Sequence, residues 1–286
     1  MKSFIKNIIS SILAIIASVI IFISLLIGVI SLIGSEETTT IKKNSILKID
    51  LTNTSVVERA SENPFDALNL SGEVQETIEI KQILDNIEKA KRDKNILAIY
   101  INTSYVNAGL SQTEEIRNKL LEFKATGKPI IAYSEVYSQL AYYLASIANN
   151  IYLNPQGIID LKGLSVGIMF YKGLLEKLDV DMQIIRHGKF KSAIEPFSLE
   201  KMSESNREQM TLFLNSIANN IMDSMAHQRG LTLSEVNNHA NKLTLENAKS
   251  CLQLNYVDSL LYQDQVEKML ITVSKAEKFI SSSKKN

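Results

Sequence analysis

Between Asn7 and Ser35 the chain carries no charged residue, and Ile8 to Ile33 is an almost unbroken run of Ile, Leu, Val, Ala and Ser. A helix of about 20 such residues crosses a bilayer, so this run is long enough to do so with some tilt. A soluble core helix would carry a polar face, and this segment has none. Lys2 and Lys6 would suit the front of a cleavable signal peptide, whose apolar region is about 7–15 residues long and closes on a small-x-small site. Here the run is longer and ends Leu-Ile-Gly-Ser-Glu-Glu, which predicts an uncleaved signal anchor. Two lysines precede the span and Glu36 and Glu37 follow it at once. The positive-inside tendency therefore places the short N-terminus in the cytoplasm and everything after residue 35 outside. Lys42 and Lys43 weaken that asymmetry a little.

Composition narrows what the exported part can do. The 286 residues include 31 basic and 31 acidic side chains, with no basic block outside the short Lys-rich end. Phosphate binding needs a basic surplus on some face, so no nucleic-acid partner is expected. The single cysteine, Cys251, excludes an internal disulfide and a Cys-rich metal site. His187, His227 and His239 are too scattered to suggest a local ligand set, and no metal is expected. Neither a Walker sequence nor G-x-G-x-x-G occurs, nor H-E-x-x-H, nor a G-x-S-x-G elbow.

The organisation reads as a 1–7 cytoplasmic N-terminus, an 8–33 anchor, a 34–44 linker, a 45–275 domain and a 276–286 polar tail. The domain, about 230 residues, is within reach of a single α/β unit. Ser45 to Leu51 alternates and reads as a first strand; Asn63-Pro64 breaks the chain after it. Strands and helices then alternate. Glu76–Lys91 carries a helical stripe, Ile96–Ile101 a buried strand, Ser111–Lys124 a helix and Pro129–Tyr133 a strand. Leu140–Ala148 reads as a helix, Ile151–Leu153 as a short strand, Tyr171–Leu178 as a helix and Met182–Arg186 as a strand. This order implies crossover units and a largely parallel sheet. The last third is mostly helical: Ser203 or Ser205 caps a long helix stopped by Gly230, and Thr232 with Glu235 has capping-box spacing for the next.

Paired carboxylates such as Glu36-Glu37 and Glu114-Glu115 lie in a linker and on a charged helix, where solvated faces are the plain explanation. One segment stands apart: Arg186-His-Gly-Lys-Phe-Lys-Ser-Ala-Ile-Glu-Pro-Phe197. It presents Lys189 and Lys191 and ends on Glu195-Pro196. A loop lysine is far more often solvated than catalytic. A catalytic base must be partly desolvated, and Phe190, Ala193, Ile194 and Phe197 are the neighbours that would supply that setting.

Lys-Phe-Lys-Ser-Ala-Ile-Glu-Pro-Phe after Ile-Ile-Arg-His-Gly resembles the lysine motif of the bacterial signal peptide peptidase A (protease IV) family, and specifically the N-terminal half of its long, two-domain form. Tyr137-Ser-Gln-Leu-Ala-Tyr-Tyr-Leu-Ala-Ser146, Ile151-Tyr-Leu-Asn-Pro-Gln-Gly157 and Met202-Ser-Glu-Ser-Asn-Arg207 extend the likeness in order. The resemblance implies an α/β, ClpP/crotonase-like fold of ββα units, with a mostly parallel sheet and a helical C-terminal third. It also implies a membrane-anchored serine–lysine dyad endopeptidase that degrades signal peptides left after export. No cofactor is implied. Peptide substrates, the membrane, further copies of the chain and a serine-bearing second half are the implied partners. Lys191 is the position matching the general base.

The departures carry as much weight. Where the serine-bearing half has a Ser-Gly-Gly-Tyr-like stretch before a helix, this chain has Gln139-Leu-Ala-Tyr-Tyr143, with Gln139 at the serine position. Ser138 is one residue out of register, and a helix turns that side chain by about 100°. The oxyanion Gly-Gly pair has only Asn107-Ala108-Gly109 as its counterpart. This half is therefore expected to lack a nucleophile, as a truncated product, a split subunit or a fragment. The rival reading is an inactive anchored scaffold or a remnant of such a peptidase. An acyl-CoA enzyme of the crotonase type fits the fold but not the exported location.

Overall fold

The computed structural model describes residues 2–33, 41–59, 76–183, 191–274 and 279–281. The uncharged run forms a single helix, α1 (Lys2–Ile33). Its Lys6–Leu25 stretch is long and apolar enough to cross a membrane, and none of it is buried against protein. The chain divides into two compact units, one containing α1 and one spanning Ile41–Ser283.

The second unit begins β1 (Ser45–Ile49), β2 (Thr54–Val57), β3 (Glu76–Glu79), α2 (Ile80–Arg92), β4 (Ile96–Ile101), α3 (Leu110–Lys124) and β5 (Ile130–Ser138). It continues α4 (Gln139–Ala145), β6 (Asn150–Asp160), α5 (Lys172–Lys177), α6 (Glu195–Ser198) and α7 (Glu204–Arg229). It closes with α8 (Leu233–Asn241), α9 (Ala248–Gln253), β7 (Ser259–Leu260), α10 (Gln263–Ser274) and β8 (Phe279–Ser281). Six strands form one sheet in the order β7-β6-β5-β4-β1-β8, paired in parallel throughout, and β2 with β3 forms a separate parallel pair. The expected α/β class with a mostly parallel sheet is what the chain adopts.

The central strands are apolar on both faces because both faces are covered. Along β4, Ile99 and Ile101 enter the larger core, shared with Ile83 and Ile87 of α2, Ile116 and Leu120 of α3 and Tyr142 of α4. Ala98 and Tyr100 point the other way, into a smaller core closed by Val266 and Leu270 of α10. The same alternation separates Ala132 from Tyr133 on β5, and Leu153 from Tyr152 on β6. The long helix α7 starts at Ser203, whose Oγ accepts the Asn206 N–H at 3.3 Å, and stops at Gly230 with φ 67°. Thr232 and Glu235 close a capping box at the start of α8. Both ends lie where the capping residues set them.

The Arg117 charge is buried beside the larger core. The Arg117 guanidinium, 3% exposed, donates to the Tyr143 carbonyl, to Ser146 Oγ at 2.8 Å and to the Ser224 carbonyl at 3.1 Å. Its carbon lies 4.4 Å from the centre of the Tyr143 ring. It thus ties α3 to α4 and α7 through backbone oxygens and a ring face. Burial holds it down to about 10.

Several sequence boundaries shift for identifiable reasons. Glu76–Glu79, assigned to a helix by its stripe, is β3, because its backbone pairs with β2 residue for residue. β5 and β6 run on past their apolar stretches, since the ladder resumes at Val136↔Ile158 and continues to Ser138↔Asp160. α4 ends at Ala145, earlier than expected. Of the strand expected at 182–186, residues 182 and 183 are not strand and the others lie outside the described residues. Phe279–Ser281, placed by composition in a polar tail, forms β8 by pairing with β1. An open sheet edge recruits backbone whatever the side chains are.

Candidate active site

At the C-terminal end of β5 the strand passes directly into α4. Ser138 is the N-cap, with extended backbone, and its Oγ accepts the Ala141 N–H at 3.3 Å. Its own N–H donates to the Ser104 carbonyl at 2.9 Å. The hydroxyl next to the expected nucleophile position therefore serves as a helix cap. Gln139 is the first helical residue. Its side-chain Oε1 accepts the Gly163 N–H at 2.8 Å and the Lys162 N–H at 3.3 Å, just beyond β6. Gly163 holds φ 85°, a left-handed backbone that favours glycine. The position expected to match the serine thus holds a carboxamide that takes up two backbone donors and carries no hydroxyl.

Other hydroxyls near this strand end are paired with each other. Ser104 Oγ lies 2.7 Å from Ser134 Oγ, and Ser134 Oγ donates to the Val136 carbonyl at 2.7 Å. The segment expected to be the counterpart of the oxyanion loop is equally occupied. Gly109 caps α3, and its N–H donates to Gln112 Oε1 at 2.8 Å. An oxyanion needs a donor free to meet it, and this one is committed to the helix.

Lys191 lies in an irregular stretch ahead of α6. It is exposed, with no hydrogen-bond or ion-pair partner among the described residues. Phe190 and Lys189 lie outside the described residues; Ala193 is exposed, Ile194 half-buried and Phe197 41% exposed. Among the described residues, the apolar neighbours do not enclose the amine. The structure brings Lys191 to no described hydroxyl.

Sequence reading overlooked Glu195, although the motif contains it. Its carboxylate is 1% exposed and accepts three hydrogen bonds from the start of α7: Ser203 Oγ at 2.6 Å, Asn206 Nδ2 at 2.9 Å and Ser203 N–H at 3.1 Å. The available signal was an acid among apolar residues, eight positions before a capping serine. On the other side of α6, the Tyr171 N–H donates to the Pro196 carbonyl at 2.6 Å, and the Tyr171 and Phe197 rings stack with centres 5.8 Å apart. Between α5 and α6 an open cleft of about 200 Å³ is lined by Leu175, Val180, Met182 and Phe197 together with Lys172, Glu176, Asp181 and Ser198.

Among the described residues, the remaining titratable candidates form no site. His239 Nδ1 is 3.1 Å from the Tyr256 hydroxyl in a packing contact, His227 is exposed on α7, and His187 lies outside the described residues. Burial pushes the Cys251 thiol up to about 11, which leaves it unreactive. Among the described residues no group of three or more His, Cys, Asp or Glu side chains is placed to hold a metal ion.

A family model for peptidase family S49 matches residues 122–277, from the end of α3 to just past the end of α10. The chain is 35% identical over 196 residues to "Protease 4" of Salmonella typhi, covering 66% of this chain and 32% of that protein. It is 34% identical over 215 residues to "Protease 4" of Haemophilus influenzae, covering 73% and 35%. It is 31% identical over 193 residues to "Serine protease SPPA, chloroplastic" of Arabidopsis thaliana, covering 68% and 28%. The chain thus spans about a third of the length of these curated relatives. The matched region contains the β5–α4 junction, the lysine segment and the capped start of α7, and on it the chain belongs to peptidase family S49.

Proposed function

We propose that this chain is the lysine-bearing half of a membrane-anchored serine–lysine endopeptidase that degrades signal peptides left after export. Lys191 is its general base, and the nucleophilic serine comes from outside residues 1–286. In the chemical step the serine Oγ attacks the scissile carbonyl, its proton passes to the neutral Lys191 amine, and backbone N–H groups beside the serine hold the oxyanion. The observation that carries this reading is Gln139, locked onto Gly163 and Lys162 at the serine position, in a chain whose lysine motif is complete.

The exposure of Lys191 supports the need for a second chain. A lysine that accepts a proton near neutral pH must sit where water is excluded, and a neighbouring subunit is what would cover it here. Leu164, Val166, Met169, Leu174, Leu178 and Met182 are each more than 40% exposed, all of them between β6 and the lysine segment, and Leu212 and Phe213 of α7 are also exposed. Apolar exposure on this scale suits an interface, and the proposed assembly is a ring of copies around a shared chamber. Apolar signal-peptide residues would find the α5–α6 cleft a matching environment.

The mixing experiment is direct. The full chain in detergent should not cleave a fluorogenic signal-peptide substrate by itself, and should gain activity when assembled with a serine-bearing S49 chain. Turnover by the isolated chain would refute the half-enzyme reading. Assembly without turnover would support the inactive scaffold.

The anchor belongs to the same proposal: α1 crosses the inner membrane with the N-terminus in the cytoplasm and Ile41–Ser283 outside. N-terminal sequencing of protein extracted from membranes should begin at or next to Met1. A product starting beyond Gly34 would show a cleaved leader instead.

A further inference from the structure

We propose that Glu195 is a positioning residue, whose buried carboxylate fixes the Lys191 segment to the start of α7; the inference rests on Lys191 being the base. The chain between the two residues is short and wound: the Glu195 N–H donates to the Ser192 carbonyl at 3.0 Å, and the Leu199 N–H donates to the Glu195 carbonyl at 2.9 Å. Whatever holds Glu195 therefore holds Ser192, the residue next to Lys191. Both carboxylate oxygens are used, Oε1 by the Ser203 hydroxyl and Oε2 by the Ser203 N–H and Asn206 Nδ2. The three donors stand on the N-cap and first turn of α7, a 26-residue helix whose far half packs into the larger core through Ile221, Met222 and Met225.

The charge suits the place. An anion at a helix N-terminus is favoured by the backbone dipole, and buried donors left unmet are costly. On its other side, four-residue α6 is met by Tyr171 against Pro196 and Phe197. A long flexible lysine gains effectiveness as a base when its backbone is fixed, and a displacement of about 1 Å can cost about a hundredfold in rate.

Glu195→Gln keeps the size but offers one acceptor where three donors converge, and turns an amide N–H₂ toward them. In the full chain assembled with a serine-bearing S49 chain, it should lower kcat by about 10- to 100-fold with KM within about twofold. Hydrogen exchange at the Glu195, Phe197 and Leu199 amides should quicken in the same variant. The double variant Glu195→Gln/Asn206→Asp restores one donor–acceptor pair in the reversed sense and places the carboxylate in the first turn of α7. It should recover most of the lost kcat.

A purely structural Glu195 would give a different pattern. Falling thermal stability with kcat unchanged per folded molecule, in an assembly that Lys191→Ala silences, overturns the positioning role and leaves the base assignment intact. Failure of the double variant to recover kcat while recovering stability overturns it as well. Activity that survives Lys191→Ala removes the base assignment, and the role of Glu195 with it.

Discussion

Lys191→Ala is expected to lower peptide cleavage by the assembled enzyme by about a thousandfold, within the range that a positioned base contributes. The fold should not notice, because Lys191 is exposed and carries no described contact. Lys191→Arg should fail equally, since a guanidinium stays protonated and cannot take the serine proton. Lys189→Ala, two residues away in sequence, should leave turnover within about twofold. Ser138→Ala tests the register at the other end of the dyad. It removes the cap on α4, worth about 1 kcal/mol, and should cost stability without silencing the assembly. An isolated chain that cleaves peptides and is stopped by Ser138→Ala would reverse the assignment and make this half a complete enzyme.

Gly157→Ala should be the most damaging small substitution in the sheet. Between Ser134↔Leu153 and Val136↔Ile158, a single residue of β5 faces the four residues 154–157 of β6, so β6 bulges out and returns. An Asx-type contact, the Gln156 N–H on Asn154 Oδ1 at 2.9 Å, shapes the outward turn. Gly157 sits where the strand comes back. A Cβ there would lie 2.4 Å from the Glu135 carbonyl oxygen and 2.7 Å from Leu153 Cδ1. The first of these is backbone, so relief requires the two strands to part. The cost should be about 3 kcal/mol, at the upper end for overpacking. For a domain of this size that is a fall of about 6–12 °C in Tm. The variant should also loosen Gly163, which follows β6 and holds Gln139. A Tm within about 2 °C of the parent would show that the bulge relaxes without strain.

The sequence determined most of the fold, because periodicity and capping are local. Ile96–Ile101 and the helices over α3 and α7 are legible from apolar spacing and from Ser203, Gly230 and the Thr232–Glu235 pair, whose chemistry acts within one turn. The uncharged run before Ser35 announced α1 by composition alone. The residue types at 191 and 139 are also plain in the sequence, and they are what the proposed base and the missing nucleophile rest on.

Tertiary structure decided what depends on partners far apart in the chain. Glu76–Glu79 is a strand only because β2 pairs with it, and Phe279–Ser281 only because β1 leaves an edge open. No local pattern reports either. The same holds at the site: that the Gln139 carboxamide is bound by Lys162 and Gly163, that the Gly109 N–H is taken by Gln112, and that Glu195 is buried against α7 are facts of packing. A carboxylate reads as a surface charge until buried donors converge on it, and a lysine as desolvated by its apolar neighbours until the exposure of Ala193 and Phe197 is seen. Residue type fixes what a group can do; the packing around it fixes whether it is free to do so.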